Sequence, residues 1–213
     1  MSQVIVLIPC YNEKRSLLRI LKKIKQKVLI MDDCSTDGSS KEIKKLKNRN
    51  LSIISNKRNS GYENNLLKGF QKIIKTSFEY VITFDADGEH YTKDIKRMEK
   101  YLVANKVDLL IGARDKKNRF VEKIVSVFFK FFLNIEDPLS GCKAYKIKKL
   151  KKIIPEIKKN YFLVDILTLF KKKNFSIDSI PINSKIIKNR TSRAGSGLIV
   201  YLKILKCLKL IFK

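Results

Sequence analysis

Two carboxylates two residues apart leave an apolar run together in Phe84-Asp85-Ala86-Asp87-Gly88-Glu89-His90. At the end of a strand both can approach one hard cation. Mg2+ or Mn2+ takes one or two carboxylates and completes its octahedron with diphosphate oxygens and water. A second acidic cluster, Met31-Asp32-Asp33-Cys34-Ser35-Thr36-Asp37-Gly38-Ser39, again closes an apolar run. Acidic groups there can accept hydrogen bonds from ribose hydroxyls or a base N–H. Turn formation and helix capping account for Ser35 to Ser39. They do not account for Asp32 and Asp33, which need another reason to end an apolar strand.

The elements that must position these groups alternate along the chain. Short β-branched runs over Val4–Pro9, Val28–Met31, Leu51–Ser55, Tyr80–Phe84 and Val107–Ile111 predict strands. Amphipathic stretches over Arg15–Lys25, Lys41–Lys47, Gly61–Lys75 and Lys93–Asn105 predict the helices between them. That order is an α/β domain with a mostly parallel sheet, whose ligands bind at the carboxyl ends of the strands. The second half is less regular. Val121–Ile135, with Phe128-Phe129-Lys130-Phe131-Phe132-Leu133 inside it, and Leu163–Phe170 predict helices. Ser176–Ile187 predicts one or two strands interrupted by Pro181. Leu198–Lys213 predicts a basic amphipathic helix, so the expected organisation is one domain over 1–197 and that helix over 198–213.

Composition sets outer bounds. The 213 residues carry 47 Lys+Arg against 20 Asp+Glu, a formal net charge of +27. The charge is spread along nearly every helix and loop, which describes a solvated surface and no specific nucleic-acid partner. It still favours anionic partners such as nucleotide phosphates and acidic lipid headgroups. Lysines interrupt every candidate membrane span, and the N-terminus carries no signature of a secretory signal. Cys10, Cys34, Cys142 and Cys207 show no metal-site or disulfide spacing and fit a reducing cytoplasm.

Ile8-Pro9-Cys10-Tyr11-Asn12-Glu13, Asn59-Ser60-Gly61-Tyr62 and Asp137-Pro138-Leu139-Ser140-Gly141-Cys142-Lys143-Ala144-Tyr145 complete a pattern with the two acidic clusters. In this order and at about this spacing, the set resembles the inverting family 2 glycosyltransferases of the GT-A fold. It is most similar to the dolichyl- or polyprenyl-phosphate mannose and glucose synthases. The match runs from residue 4 to about 147. The resemblance implies a Rossmann-like mixed sheet flanked by helices, a nucleotide sugar donor and a divalent cation.

By the same resemblance Pro9, Tyr11 and Glu13 line the nucleotide pocket, with Asp33 near the base or ribose. Asp85 and Asp87 hold the metal and the sugar diphosphate, and Glu89 stands where the family has a metal-reaching Gln. Arg114, in Gly112-Ala113-Arg114, and Ser140 and Lys143 fall at positions that face acceptor phosphate. Lys143 replaces an arginine there, keeping the charge and losing the bidentate fork. Arg190 and Arg193 fall near an element over the donor. Asp137, after Glu136, is the base if the acceptor is a saccharide hydroxyl. It is positional if the acceptor is a polyprenyl or dolichyl phosphate, already ionised.

That acceptor implies a peripheral place on the cytoplasmic membrane face. The aromatic helix around Phe128–Leu133 and the basic C-terminal helix are the segments suited to meet an anionic bilayer, although either can instead pack on the sheet. A non-catalytic basic binding domain is the contrasting class. It predicts loss of the carboxylates, yet Asp33, Asp85, Asp87 and Asp137 are all present.

Overall fold

The computed structural model describes residues 3–116, 120–157 and 162–186. Arg190, Arg193 and the Leu198–Lys213 helix lie outside the described residues. Within them the chain builds a seven-stranded sheet in the order β3-β2-β1-β4-β6-β5-β7. The strands are β1 (Val4–Cys10), β2 (Lys27–Asp32), β3 (Leu51–Ser55), β4 (Tyr80–Thr83), β5 (Leu109–Arg114), β6 (Lys143–Lys146) and β7 (Ile177–Ile182). The helices are α1 (Lys14–Leu21), α2 (Ser39–Lys45), α3 (Tyr62–Ile73), α4 (Lys93–Asn105), α5 (Phe120–Leu133), α6 (Ile147–Ile153) and α7 (Phe162–Lys172).

Every residue of β1 is buried, as expected of a central strand covered on both faces. Its alternating side chains feed two cores. Val4, Val6 and Ile8 pack with Leu17 and Ile20 of α1 and with Ile95, Met98 and Leu102 of α4. Ile5 and Leu7 point the other way, toward Leu66, Phe70 and Ile73 of α3 and Ile166 and Phe170 of α7. The second core contains an aromatic column. Phe70 meets Tyr145 edge-on at 5.2 Å, Tyr145 meets Phe170 at 6.0 Å, and Phe170 meets Phe175 at 5.4 Å.

Three features depart from the sequence expectation. No strand is expected over 143–146, yet β6 forms there and runs antiparallel between β4 and β5, which makes the sheet mixed as the resemblance implies. Helix α6 follows it directly. Pro181 does not interrupt β7, because among the described residues β7 is an edge strand paired with β5 alone, where a missing N–H is tolerated.

Phe70→Ala removes the ring that joins α3 to the aromatic column. It is expected to lower unfolding stability by about 3–5 kcal/mol in urea titration.

Candidate active site

The carboxyl ends of β2, β1 and β4 lie side by side, and the loops that leave them form a cleft. A cavity of about 160 Å³ is lined by Pro9, Cys10, Tyr11, Asp33, Asn59, Gly61, Tyr62 and Asn65. Pro9, Tyr11 and Asp33 are therefore brought together as the nucleotide-pocket reading expects. Glu13 is not part of that lining, and its carboxylate accepts from Ser16 Oγ at 2.8 Å. Cys10, Asn59, Gly61 and Tyr62 stand in the sequence motifs without an assigned role, and Asn65 stands in none. An asparagine inside an amphipathic helix carries no sequence signal for a buried role.

Asp33 is buried and heavily engaged. Its carboxylate accepts from Ser60 N at 3.0 Å, Gly61 N at 2.8 Å, Ser60 Oγ at 2.8 Å and Asn56 Nδ2 at 2.6 Å. It fastens the 56–61 loop against the end of β2, so its position at the cleft comes with a structural duty. The turns after β1 and β2 are also joined to each other. Thr36 N donates to Asn12 Oδ1 at 2.8 Å, and Asn12 N donates to Ser35 Oγ at 2.9 Å.

Asp85 and Asp87 follow β4 and are both buried. Tyr62 Oη donates to Asp85 Oδ1 at 2.9 Å, and Glu89 N donates to Asp87 Oδ1 at 2.8 Å. Gly141 lies close to the other carboxylate oxygen of Asp85. A Cβ built there would lie 2.0 Å from Asp85 Oδ2, so only glycine leaves room for this carboxylate. Thr83 Oγ1 donates to Gly141 O at 2.9 Å and keeps the loop in register with β4.

Glu89, Arg114 and Asp137 form one buried cluster. Arg114 donates from Nε to Asp137 Oδ2 at 2.8 Å, from Nη2 to Asp137 Oδ1 at 3.0 Å and from Nη1 to Glu89 Oε1 at 2.9 Å. Its backbone N also donates to Asp137 Oδ2 at 2.9 Å, and Glu122 of α5 lies 3.4 Å from Nη1. Burial pushes the Asp137 carboxyl upward, but the hydrogen bonds and charge of Arg114 outweigh this and hold it below the usual carboxylate range.

Arg114, Ser140 and Lys143, which the resemblance places facing acceptor phosphate, are each bonded within the protein. Arg114 spends its guanidinium on protein carboxylates. Ser140 is buried with its N donating to Asp137 O at 3.1 Å. Lys143 is enclosed because β6 is an inner strand, and its ammonium donates to Ser140 O. Burial pushes the Lys143 pKa down to about 8, against the opposing pull of Asp137. Glu89, expected to reach the metal, gives Oε1 to Arg114.

The charge balance suits a divalent cation. Four buried carboxylates, Asp85, Asp87, Glu89 and Asp137, stand with two buried cations, Arg114 and Lys143. With Glu122 also beside Arg114, acidic groups outnumber basic ones here, a setting that favours a divalent cation. Among the described residues no group of three or more His, Cys, Asp or Glu is arranged to hold a metal by itself. A cation on Asp85 and Asp87 would therefore take its remaining ligands from diphosphate and water.

Residues 5–175 match the Glycosyl transferase family 2 profile. The chain belongs to that family. It is 23% identical over 233 residues to the UDP-N-acetylglucosamine–dolichyl-phosphate N-acetylglucosaminyltransferase of Methanococcus voltae, covering 94% of this chain and 92% of that one. It is 24% identical to the polyprenol monophosphomannose synthase of Mycolicibacterium smegmatis, covering 85% of this chain and 77% of that one. Its fold is that of GT-A glycosyltransferases. Glucosyl-3-phosphoglycerate synthase from Mycobacterium tuberculosis, solved with Mn2+, UDP and phosphoglyceric acid, superposes with a TM-score of 0.72 at 13% identity, covering 98% of this chain and 78% of that one.

Gly141→Ala forces the Asp85 carboxylate aside. Sugar transfer or donor hydrolysis assayed with Mn2+ is expected to fall about 10²-fold, the usual consequence of misplacing a site group by about an ångström. Wild-type turnover in this variant would show that Asp85 is not needed in its observed position.

Proposed function

We propose that this chain is an inverting glycosyltransferase that moves a hexose from a nucleotide diphosphate sugar, of the GDP-mannose or UDP-glucose type, to a polyprenyl or dolichyl phosphate. The observation that carries the acceptor class is the state of Asp137. A base that deprotonates a sugar hydroxyl works best with a pKa near the working pH and with an oxygen free to receive the proton. Asp137 is buried, held low, and bonded through both oxygens to Arg114. A phosphate acceptor is already ionised and asks for no base. The dolichyl-phosphate and polyprenol transferases among the relatives support the same reading.

In this mechanism the cavity formed by Pro9, Tyr11, Asn59 and Tyr62 receives the nucleoside. Asp85 and Asp87 would hold Mg2+ or Mn2+, which when bound neutralises charge on the departing nucleoside diphosphate. An acceptor phosphate oxygen attacks the anomeric carbon as the bond to the diphosphate oxygen breaks on the opposite face, inverting the configuration. No proton changes hands. The Arg114–Asp137 pair keeps the loop 134–142, and with it Gly141, in place beside Asp85.

A peripheral position on the cytoplasmic membrane face follows from this acceptor, and α5 supplies a surface for it. Phe131 is 82% exposed and Val127 70%, with Ile124 and Phe132 also exposed, while Val125 and Phe129 on the other face are buried. Exposed Lys123 and Lys130 accompany this apolar stripe, a combination suited to an anionic bilayer. The helix leads directly into Glu136 and Asp137, so a docked α5 would bring the lipid surface to the acceptor side of the site. Among the described residues no helix is long and apolar enough to cross a membrane.

The deciding assay offers the full chain UDP- and GDP-sugars with Mg2+ or Mn2+, with polyprenyl phosphate, with saccharides, or with no acceptor. Release of nucleoside diphosphate is expected only with a suitable donor and polyprenyl phosphate, and is expected to vanish in Asp87→Ala. Turnover only with saccharide acceptors would move the function to hydroxyl transfer. Absence of nucleotide-sugar binding would overturn the enzymatic reading. For the membrane surface, Val127→Glu combined with Phe131→Glu is expected to abolish cosedimentation with vesicles containing anionic phospholipid. Unfolding stability should change by no more than about 0.5 kcal/mol, as at other exposed positions. Unaltered vesicle binding would remove α5 from the membrane contact.

A further inference from the structure

The amino-terminal turn of α3 reaches both halves of the cleft. Ser60 and Gly61 are bonded to Asp33 at the end of β2, and one residue later Tyr62 Oη donates to Asp85 Oδ1 beyond β4. Strands β2 and β4 flank β1, so residues 60–62 bridge the carboxyl end of β1. The bridge is clamped. Gly61 has φ 82° and ψ 158°, a backbone conformation that disfavours side chains. Asn65, one turn into α3, donates to Met31 O at 2.7 Å. Its Oδ1 accepts from Asn56 Nδ2 at 3.0 Å, and the same Nδ2 reaches Asp33. Lys68 Nζ donates to Asn56 Oδ1 at 3.1 Å and Ser60 Oγ at 3.2 Å.

The Tyr62 hydroxyl is therefore delivered to Asp85 from a fixed base, while the Tyr62 ring lines the nucleoside cavity. Gly141 lies close to the other oxygen of the same carboxylate. We propose that Tyr62 is a positioning residue for the cation: its hydroxyl holds Asp85 in the orientation that receives the metal, and its ring links that orientation to the nucleoside. This rests on the reading of Asp85 and Asp87 as cation ligands. A hydrogen bond that orients a ligating carboxylate typically governs ten- to hundredfold in metal affinity. Because Tyr62 belongs to both halves, nucleotide and cation strengthen each other's binding through it, and this coupling is reciprocal.

The test titrates Mn2+ into the full chain, following free Mn2+ by electron paramagnetic resonance, alone and with UDP or GDP present. Wild type, Tyr62→Phe and Asp87→Ala are compared, and metal-free nucleotide affinity and the unfolding midpoint are measured for each. Tyr62→Phe keeps the ring and is expected to bind Mn2+ roughly tenfold or more weakly in the presence of nucleotide. Its loss of Mn2+ affinity should exceed any loss of metal-free nucleotide affinity, and the unfolding transition checks that the variant remains folded. Mn2+ binding by Tyr62→Phe equal to wild type overturns the positioning role and leaves the metal site standing. An equal loss of metal-free nucleotide affinity also overturns it, since Tyr62 would then be a nucleotide contact only. Failure of wild type to bind Mn2+, or unimpaired binding by Asp87→Ala, overturns the metal reading and this inference with it.

Discussion

A single buried guanidinium ties the loops after β4 and α5 to the end of β5. Arg114 ends β5, and its donors reach Asp137 in the loop after α5 and Glu89 in the loop after β4, with Glu122 of α5 close by. Three other chain segments thus converge on one cation. Removing one partner from such a buried cluster leaves uncompensated charge at a cost of about 3–5 kcal/mol, so the segments are bound to one another more firmly than surface ion pairs would bind them. The strained backbone at Asp137, with φ 41°, is retained in the same setting. Because Gly141 lies four residues beyond Asp137, the cluster also fixes how closely the loop approaches Asp85.

The ends of β1 and β2 use a different device. There the organising group is an anion, Asp33, surrounded by backbone and side-chain N–H and O–H donors from the 56–61 loop. Such charge-assisted bonds are stronger than neutral ones and hold the loop against the strand ends without any apolar packing. The two arrangements meet at Asp85, which receives Tyr62 from α3 and Gly141 from the loop after α5. The cleft is therefore largely preorganised, with the carboxylates already oriented. Preorganised electrostatics of this kind are the main way a protein lowers the barrier for a step in which charge leaves on a diphosphate.

The residues that end strands were legible in the sequence, and those that hold the ends together were not. Apolar runs closing on Asp32-Asp33 and Asp85-Ala86-Asp87 carry a local signal, and the order of elements through β5 follows from periodicity alone. Strand β6 is Lys-Ala-Tyr-Lys, too short and too charged at its ends to show a period. It is a strand because β4 and β5 offer it hydrogen-bond partners on both sides. The inward turn of Lys143 follows from that pairing and from nothing in its neighbours along the chain. Likewise Asn56, Asn65 and Lys68 read as helix and loop surface, and their roles come from contact with Asp33 and Met31 O. Arg114 was legible as a site cation by resemblance, yet its partners are carboxylates drawn from three other segments.

Charge is distributed on two scales that work against each other. The chain as a whole carries +27, a field that draws anions toward it over a Debye length or so. Inside the cleft the buried carboxylates outnumber the buried cations, so a bare diphosphate arriving there meets local repulsion. Only an anion that brings or finds a divalent cation satisfies both fields at once. The contrast follows from placing an acidic pocket in a basic protein.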